Sequence, residues 1–537
     1  MLHKTHIILL TILTVVLVSC EKEFLETQPT DAIAATDALS SAENMDLLLN
    51  GLHRQMYAQN PLPGTTSSRS GQSYYMPSFD VIAGNLIHSS PGNGWMTADL
   101  QWLAHTNANT TTVDNLWYER YHFVFTANSI INTVAEGNLT IDADLNNILG
   151  QSYAYRAWAY HQLVTTFAKG YLIGSPSTDL GVPLVLDAGV PYTSEARSVV
   201  EDVYTQIEED IDLAIGYFED ASGPDNKSNI SIDAAYGIKA RIALSKGDWQ
   251  TAADAAVLAR ENYPLLDEVD WLSGFNSVDL SEVIWGGTVI DTETNFFQSY
   301  FYFIGSTFNG SQTRTNPKII RSDIYDQIPD TDYRAKAWLP LAPNTNSSAS
   351  NGQGGSYLTD PNYDNEDDFW DAWEAIITEY GMTTAHNTHP YISMKFLQEN
   401  PGSIDPDDVI YMRSSEMYLI EAEAKAMLSD ISGAQTALSI LGEARDSAYD
   451  VTLFNTQEAL LDEIKFQRRV ELWGEGFSYL DQIRWDEGID QSNSGASEVL
   501  YGDGFFQERP SVNDEWIWKI PQAEINANPN IGEAQQN

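Results

Sequence analysis

The sequence predicts a mostly α fold in which helix pairs stack into a repeat scaffold, interrupted by a loop-rich insertion containing short strands. Three observations carry this. Apolar residues recur every three or four positions in several long segments. The stretch from Ile232 to Pro264 has the spacing of a 34-residue helix-pair repeat. That spacing vanishes between Leu265 and Val409, where Gly, Asn and Ser crowd Gly305 to Gln312 and Asn344 to Gly355.

The repeat is the most specific of the three. Tyr236, Ala240, Ala243, Gly247, Asp248, Trp249, Ala252, Ala256, Ala259 and Pro264 sit at the offsets of a tetratricopeptide-like pair. The alanines let two helices approach closely, Gly247 and Asp248 make the turn, and Pro264 ends the second helix. A looser copy occurs at Tyr418, Ala422, Ala426, Ala437, Leu441 and Ala444. Such units bury their faces only on neighbours, so several stacked pairs are implied. An array of this kind suits docking of peptides or proteins and does not imply catalysis.

In chain order, Met45, Leu48, Leu49, Leu52 and Met56 share one helical face, which Pro61 to Gly71 breaks. Tyr74 to Asn109 reads as irregular, with Gly84, Pro91, Gly92 and Gly94 bending the chain around Trp95 and Trp102, and is the first candidate for ligand contact. Helices are predicted over Leu116–Glu136, Leu145–Tyr171 and Val199–Phe218, with a Pro-containing connection over Gly181–Glu195. Val283 to Trp285 followed by Thr288 to Ile290 reads as a short strand, with Trp285 in the core, and Tyr300 to Ile304 reads as another strand. In the segment Gln467–Trp485, Val470, Trp473, Phe477, Leu480 and Ile483 form one apolar helical stripe bordered by Arg468, Arg469, Glu471, Glu475, Asp481 and Arg484. Charges beside such a stripe are partly desolvated, and this pattern predicts a structural ion-pair network that locks helices together.

The amino terminus is a separate unit. A short start containing Lys4, an apolar run from Ile7 to Val18 and the sequence Leu17-Val18-Ser19-Cys20 read as a signal peptide, since the run is too short to span a bilayer. Leu-Val-Ser-Cys resembles a lipobox, which implies cleavage before Cys20 and its acylation; the alternative is a buried free cysteine after an ordinary signal. Residues 1–19 are then the signal, 20–39 a lipidated start and tether, and 40–537 one domain with insertions at about 57–112 and 265–409. No Pro/Gly/Ser linker divides that domain.

Composition limits the function. With 28 Lys plus Arg against 76 Asp plus Glu the formal net charge is −48, which repels nucleic acid. Cys20 is the sole cysteine, so no intramolecular disulfide, thiolate metal cluster or thiol nucleophile is available inside the domain. The 14 Trp and 27 Tyr are a rich aromatic supply, shared between a large helical core and a binding face.

The segment around residue 470 also carries a resemblance. Arg468-Arg469-x-Glu471-Leu472, followed by Glu475-Gly476 and then Asp481-x-x-Arg484-Trp485, resembles the carboxy-terminal signature of the SusD/RagB family of outer-membrane lipoproteins. Gln467 and Ser478 depart from the acid and the basic residue common there. Glu21 to Glu26 resembles the start of mature members, and Ile520-Pro521 through Glu524-Ile525 to Asn528-Pro529 resembles their closing motif. The resemblance implies a non-enzymatic, lipid-anchored glycan binder that serves as lid to a SusC-like TonB-dependent transporter, and it places the ligand face on the loop-rich insertions. Relatives serving oligopeptide importers make peptide binding an alternative, and a surface glycoside hydrolase is another.

No His-Glu-x-x-His, Gly-x-Ser-x-Gly or Gly-rich phosphate loop is present. Among 76 acids some pair always has a separation suited to glycoside hydrolysis, so paired carboxylates carry no weight. His386 and His389 lie three apart beside Pro390, a poor frame for metal ligation. Asp360, Asn362, Asp364, Glu366, Asp368 and Asp371 match the ligand positions of a calcium-type loop, with Asn365 in place of the turn glycine; the other reading is a solvated acidic loop. For a sugar, the C–H face of a pyranose on an aromatic ring buries ~60 to 80 Å², or ~1.5 to 2 kcal/mol at ~25 cal/mol per Å². Trp95, Trp102, Tyr300, Tyr302, Trp370 and Trp373 are the candidate rings, each with core packing as its alternative. Asn309, Gln312 and Arg314 are the candidate polar contacts.

Overall fold

The computed structural model describes residues 38–58, 71–188, 194–224, 226–290, 292, 297, 299–346 and 355–537. The predicted signal peptide, Cys20 and the tether up to residue 37 lie outside the described residues, as do 59–70 and 347–354 of the two insertions. Among the described residues no helix is long and apolar enough to cross a membrane.

The scaffold is a run of helices, each packed on the one before. Thr111–Ala135 starts on Thr110, whose side chain accepts from Val113 N–H, and Ala143–Phe167 starts in the same way on Asp142. Val200–Phe218, Ile232–Lys246 and Trp249–Arg260 follow in order. The last two are the predicted repeat. Gly247 takes the left-handed conformation (φ 83°) that closes the first helix, and Asp248 caps the second through Thr251 N–H. Ala252, Ala256 and Ala259 are fully buried between helices.

The second repeat, Ser414–Met427 with Ile431–Arg445, packs directly on the first through Trp249–Arg260. Its turn uses the same device. Asp430 caps the second helix through Gly433 N–H (2.9 Å), but Ser429 (φ 63°) stands in the left-handed position where the first repeat has glycine. The long insertion leaves the scaffold uninterrupted because it departs and returns as one strand pair. Val283–Gly287 runs antiparallel to Val409–Arg413. Beyond this neck, Leu86–His88, Lys318–Ile320, Ile392–Ser393 and Trp338–Leu339 form a four-stranded antiparallel sheet in that order, which joins the first irregular segment to the insertion.

Four expectations are corrected. Tyr74–Ile82 is not irregular: Gly71–Ile82 is a helix with Pro77 inside it, buried on every side, so it has no amphipathic period to betray it. Tyr300–Ile304 is a short helix capped by Ser299, not a strand; five consecutive buried apolar residues carry no period that separates the two. The segment 467–485 is two helices, Gln457–Glu471 and Ser478–Trp485, separated by Gly474 (φ 84°) and Gly476 (φ 86°). Trp285 is in the core, and its strand stops at Gly287, short of Thr288.

Candidate functional site

Among the described residues, the loop-rich parts of the chain meet around Asn93. Gly92 (φ 53°) lies so close to the insertion that a Cβ there would stand 2.7 Å from Gln312 Oε1. Asn93 N–H donates to that same Oε1 (3.1 Å), and Asn93 Nδ2 donates to Ser311 Oγ (3.0 Å) and Tyr302 Oη (3.2 Å). Trp95, half-buried, stands edge-on to Tyr302 and Phe303 at 6.0 and 5.6 Å between ring centroids. Arg314, also half-buried, donates through Nη1 to Asn309 Oδ1 (3.4 Å), while its carbonyl accepts from Asn387 N–H (2.9 Å).

That last bond leads to a second group of rings. Thr383 N–H donates to His386 Nδ1 (3.0 Å), so the ring's Nε2–H faces the Phe308 carbonyl at 3.1 Å. Burial lowers the pKa of this imidazole and keeps it neutral. The His386 carbonyl accepts from Trp373 Nε1 (3.1 Å), which fixes the Trp373 ring. Trp370 stands perpendicular to it at 5.6 Å and is 40% exposed. Two sets of contacts result, one joining Trp95 to Asn93 and Gln312 through Tyr302, the other joining Asn309 and Arg314 through Asn387 and His386 to the Trp370–Trp373 pair, and the short helix Ser311–Thr315 carries Gln312 of the first and Arg314 of the second. Side chains held in this way present ring surface and amide or guanidinium donors without further ordering.

The predicted ring set divides. Trp370 is exposed and Trp95 and Trp373 are half-buried, whereas the other three are core residues. Trp102 is 2% exposed, donates to the Ile82 carbonyl (3.0 Å) and packs against Trp516. Tyr300 is buried with its hydroxyl donating to the Gly474 carbonyl (2.9 Å). Tyr302 is buried beneath Trp95 and holds Asn93. Gln312 is buried too, and through Asn93 it positions the loop instead of facing solvent. No sequence pattern separates these from exposed rings.

The calcium-type reading of Asp360, Asn362, Asp364, Glu366 and Asp371 is also corrected. Asn365 caps the helix Glu366–Glu379 by accepting from Asp368 N–H (2.9 Å), so Glu366, Asp368 and Asp371 lie along a helix and do not converge with the loop before it. Asp360 instead accepts from Asn344 N–H and Asn362 N–H. Among the described residues no group of three or more His, Cys, Asp or Glu side chains could hold a metal ion. His389 turns to the Pro390 carbonyl, away from any shared site with His386.

What fixes the insertion on the scaffold is the ion-pair network. Glu471 accepts from Arg334 (2.8 Å), Arg413 and Arg445, Glu475 from Arg413 and Lys395 (each 2.7 Å), and Glu282 from Arg413 (2.9 Å) and Arg445. Asp332 pairs with Arg334 (2.7 Å), so four carboxylates answer four cations. Burial favours neutral Glu471, but the guanidiniums of Arg445, Arg413 and Arg334 outweigh it and hold its pKa well below the carboxylate range. Burial brings Lys395 down to about 8 against the pull of Glu475. Gln467, the departure from the common signature, serves as a neutral acceptor for Arg334 (2.7 Å). Asp80 of the buried helix accepts from Gly476 N–H and Ser478 N–H and so holds the break between the signature helices. Its carboxyl is pushed up to about 6 by burial, against those bonds. Arg468 and Arg484 both pair with Asp481, and Arg484 also pairs with Glu423. The sequence points to the signature residues but not to Glu282, Arg334, Lys395, Arg413 or Arg445. The one available signal is a charge at the end of an apolar strand, as in Glu282 before Val283-Ile284-Trp285 and Arg413 after Val409 to Met412.

Comparison with known proteins accounts for almost the whole domain. The family model described as the SusD family matches residues 276–537, and the model described as starch-binding associating with outer membrane matches residues 23–244. A curated relative, SusD-like protein P38 of Formosa agariphila, is 22% identical over 425 residues, covering 70% of this chain and 72% of its own. Among solved structures, a SusD-like carbohydrate binding protein of Bacteroides vulgatus superposes with a TM-score of 0.73 at 23% identity, over 92% of this chain and 98% of that one. A laminarin binding SusD-like protein does so with a TM-score of 0.59 at 20% identity, over 92% and 98%. With matches to both halves of the domain and the signature built into its central ion-pair network, the chain belongs to the SusD/RagB family.

Proposed function

We propose that this protein is a cell-surface glycan-binding lipoprotein, anchored in the outer membrane through acylated Cys20, that captures an oligo- or polysaccharide and delivers it without chemical change to a SusC-like TonB-dependent transporter. The observation that carries the reading is the Trp370–Trp373 pair. A ring 40% exposed, held perpendicular to a neighbour that is itself fixed by His386, is a stacking platform linked to the amide and guanidinium of Asn309 and Arg314. The family, and the carbohydrate-binding and laminarin-binding relatives of the same fold, support the same ligand class. Held ligand passes into the transporter as the lid closes over it. Weak binding suits this role: two or three stacked sugars give roughly millimolar to tens-of-micromolar affinity after association costs.

The test is calorimetry of the purified protein against a panel of neutral and acidic glycans and a peptide mixture. A glycan response that weakens ~10- to 30-fold in Trp370→Ala, the loss of ~1.5 to 2 kcal/mol of ring contact, supports capture at this face. Peptide binding with no glycan response, or turnover of a bound glycan, overturns it.

A further inference from the structure

A second cavity lies where the signature helices break, between Ala83–Asn85, the end of Gln457–Glu471, the start of Ser478–Trp485 and Gly488–Asp490. Its volume is about 200 Å³, and the exposed Gly488 and Asp490 open it to solvent. Three buried polar atoms of its lining residues have no hydrogen-bond partner: Asn85 Oδ1, Gln482 Oε1 and Arg468 Nη1. The remainder of each group is committed. Asn85 Nδ2 donates to the Arg469 carbonyl (3.3 Å), Gln482 Nε2 to the Ala83 carbonyl (3.2 Å), and Arg468 Nε and Nη2 to Asp481 (2.7 and 2.9 Å). These bonds orient both amides and leave two acceptors and one donor unanswered on three residues that line the same space. Buried polar groups are otherwise almost always satisfied, so three orphans at one cavity call for an occupant.

Charge selects what that occupant is. Arg321 is paired with Asp323, Arg468 with Asp481 and Arg469 with Glu487, which Lys465 shares, and the carboxylate of Asp490 also lines the space, so the charges around it do not select an anion. Two amide oxygens would also repel a carboxylate or a phosphate. A bare cation would find only those two oxygens, with a guanidinium beside them. A hydroxyl group both donates and accepts, and so answers all three orphans. The room equals about six or seven waters at roughly 30 Å³ each, enough for one pyranose ring, and the half-buried Phe477 and Trp485 offer apolar wall for its C–H groups.

We propose that this cavity binds one neutral, hydroxyl-rich molecule of monosaccharide size. The site is separate from the Trp370 face and does not depend on the glycan reading of that face.

The test titrates methyl glucoside, galactose, N-acetylglucosamine and glycerol into the full-length purified protein by NMR saturation transfer and calorimetry. Saturable one-to-one binding of at least one of them is expected, weakened at least tenfold by Asn85→Leu and by Gln482→Leu and unchanged by Trp370→Ala. Ser478→Phe, at a half-buried position on the wall, adds bulk to the cavity and is expected to abolish binding, and a urea midpoint measured for each variant beside wild type tells loss of the site from loss of the fold. The absence of any saturable response, a response that all three cavity variants leave intact, or a soaked crystal holding only ordered water in the cavity would overturn the proposal.

Discussion

Replacing Glu471 by Gln keeps the shape of the side chain and removes its charge at the centre of the ion-pair network. Three guanidiniums, those of Arg334, Arg413 and Arg445, then share Glu282, Glu475 and Asp332, and the new amide N–H₂ points a donor at donors. Removing one partner from a buried ion pair costs about 3–5 kcal/mol, and contact with three cations places Glu471 at the upper end. With an unfolding entropy of roughly 2.1 cal/mol/K per residue, a chain of this length has about 1.1 kcal/mol/K in total, so the melting temperature falls by about 3–5 °C. Because the carboxyl is held well below its ordinary pKa, its stabilisation is complete above about pH 4.5 and is lost as pH falls toward the depressed value. The gap between wild type and E471Q is therefore about 1.4 kcal/mol smaller at pH 3.5 than at pH 7, one unit below the ordinary carboxylate value. Urea denaturation and scanning calorimetry at both pH values measure it. A variant as stable as wild type at pH 7, or a gap that does not narrow at pH 3.5, would refute the view that Glu471 works as a charge among three guanidiniums.

Trp102→Ala destabilises the fold by about 3–5 kcal/mol as a core truncation and leaves the glycan affinity of the folded protein unchanged, whereas Trp370→Ala changes stability by less than about 0.5 kcal/mol; urea curves beside calorimetric titrations separate the two. Ser429→Gly relieves a left-handed serine, a strain of about 1–2 kcal/mol reduced by glycine's greater freedom when unfolded, so the urea midpoint rises by the equivalent of about 0.5–1 kcal/mol. Glu119 is raised to about 7 by burial, with Arg120 opposing. The folded state therefore holds this proton more tightly, and wild-type stability falls as pH rises from about 4.5 to 7. Glu119→Gln removes that part of the fall, visible as a flatter profile of melting temperature against pH.

The scaffold was legible because repetition and periodicity are local properties. Ala252, Ala256 and Ala259 announce a close helix contact by their size alone, and Gly247-Asp248 announces a turn by backbone chemistry. The second copy was fainter for a definable reason. Its turn carries Ser429 where the first has glycine, so the left-handed residue is visible only in the backbone. The helix Gly71–Ile82 and the helix Tyr300–Ile304 are not legible in the sequence because burial on all sides erases the periodic signal from which helices are read.

The site was less legible because exposure is a tertiary property. Trp102 follows a short helical turn and Trp370 lies in the helix Glu366–Glu379, yet Trp102 is buried against Trp516, a residue more than 400 positions away, while Trp370 keeps 40% of its surface. The network that fixes the insertion is likewise assembled from Glu282, Asp332, Arg334, Lys395, Arg413, Arg445, Glu471 and Glu475, which local sequence cannot bring together. The signature residues stand out because they supply the carboxylates at its centre from one short segment, whereas their partners come singly from a strand end, a helix end and the turns of the insertion. This division of labour gives the family motif a physical meaning. Glu471 ends the helix before the glycine-bent break and Glu475 lies within it, Asp80 holds that break from the buried helix, and Arg334 and Lys395 of the insertion pair with these two carboxylates. A change in the signature is therefore expected to act on the ligand face through the seating of the insertion, even though neither Glu471 nor Glu475 lies on that face.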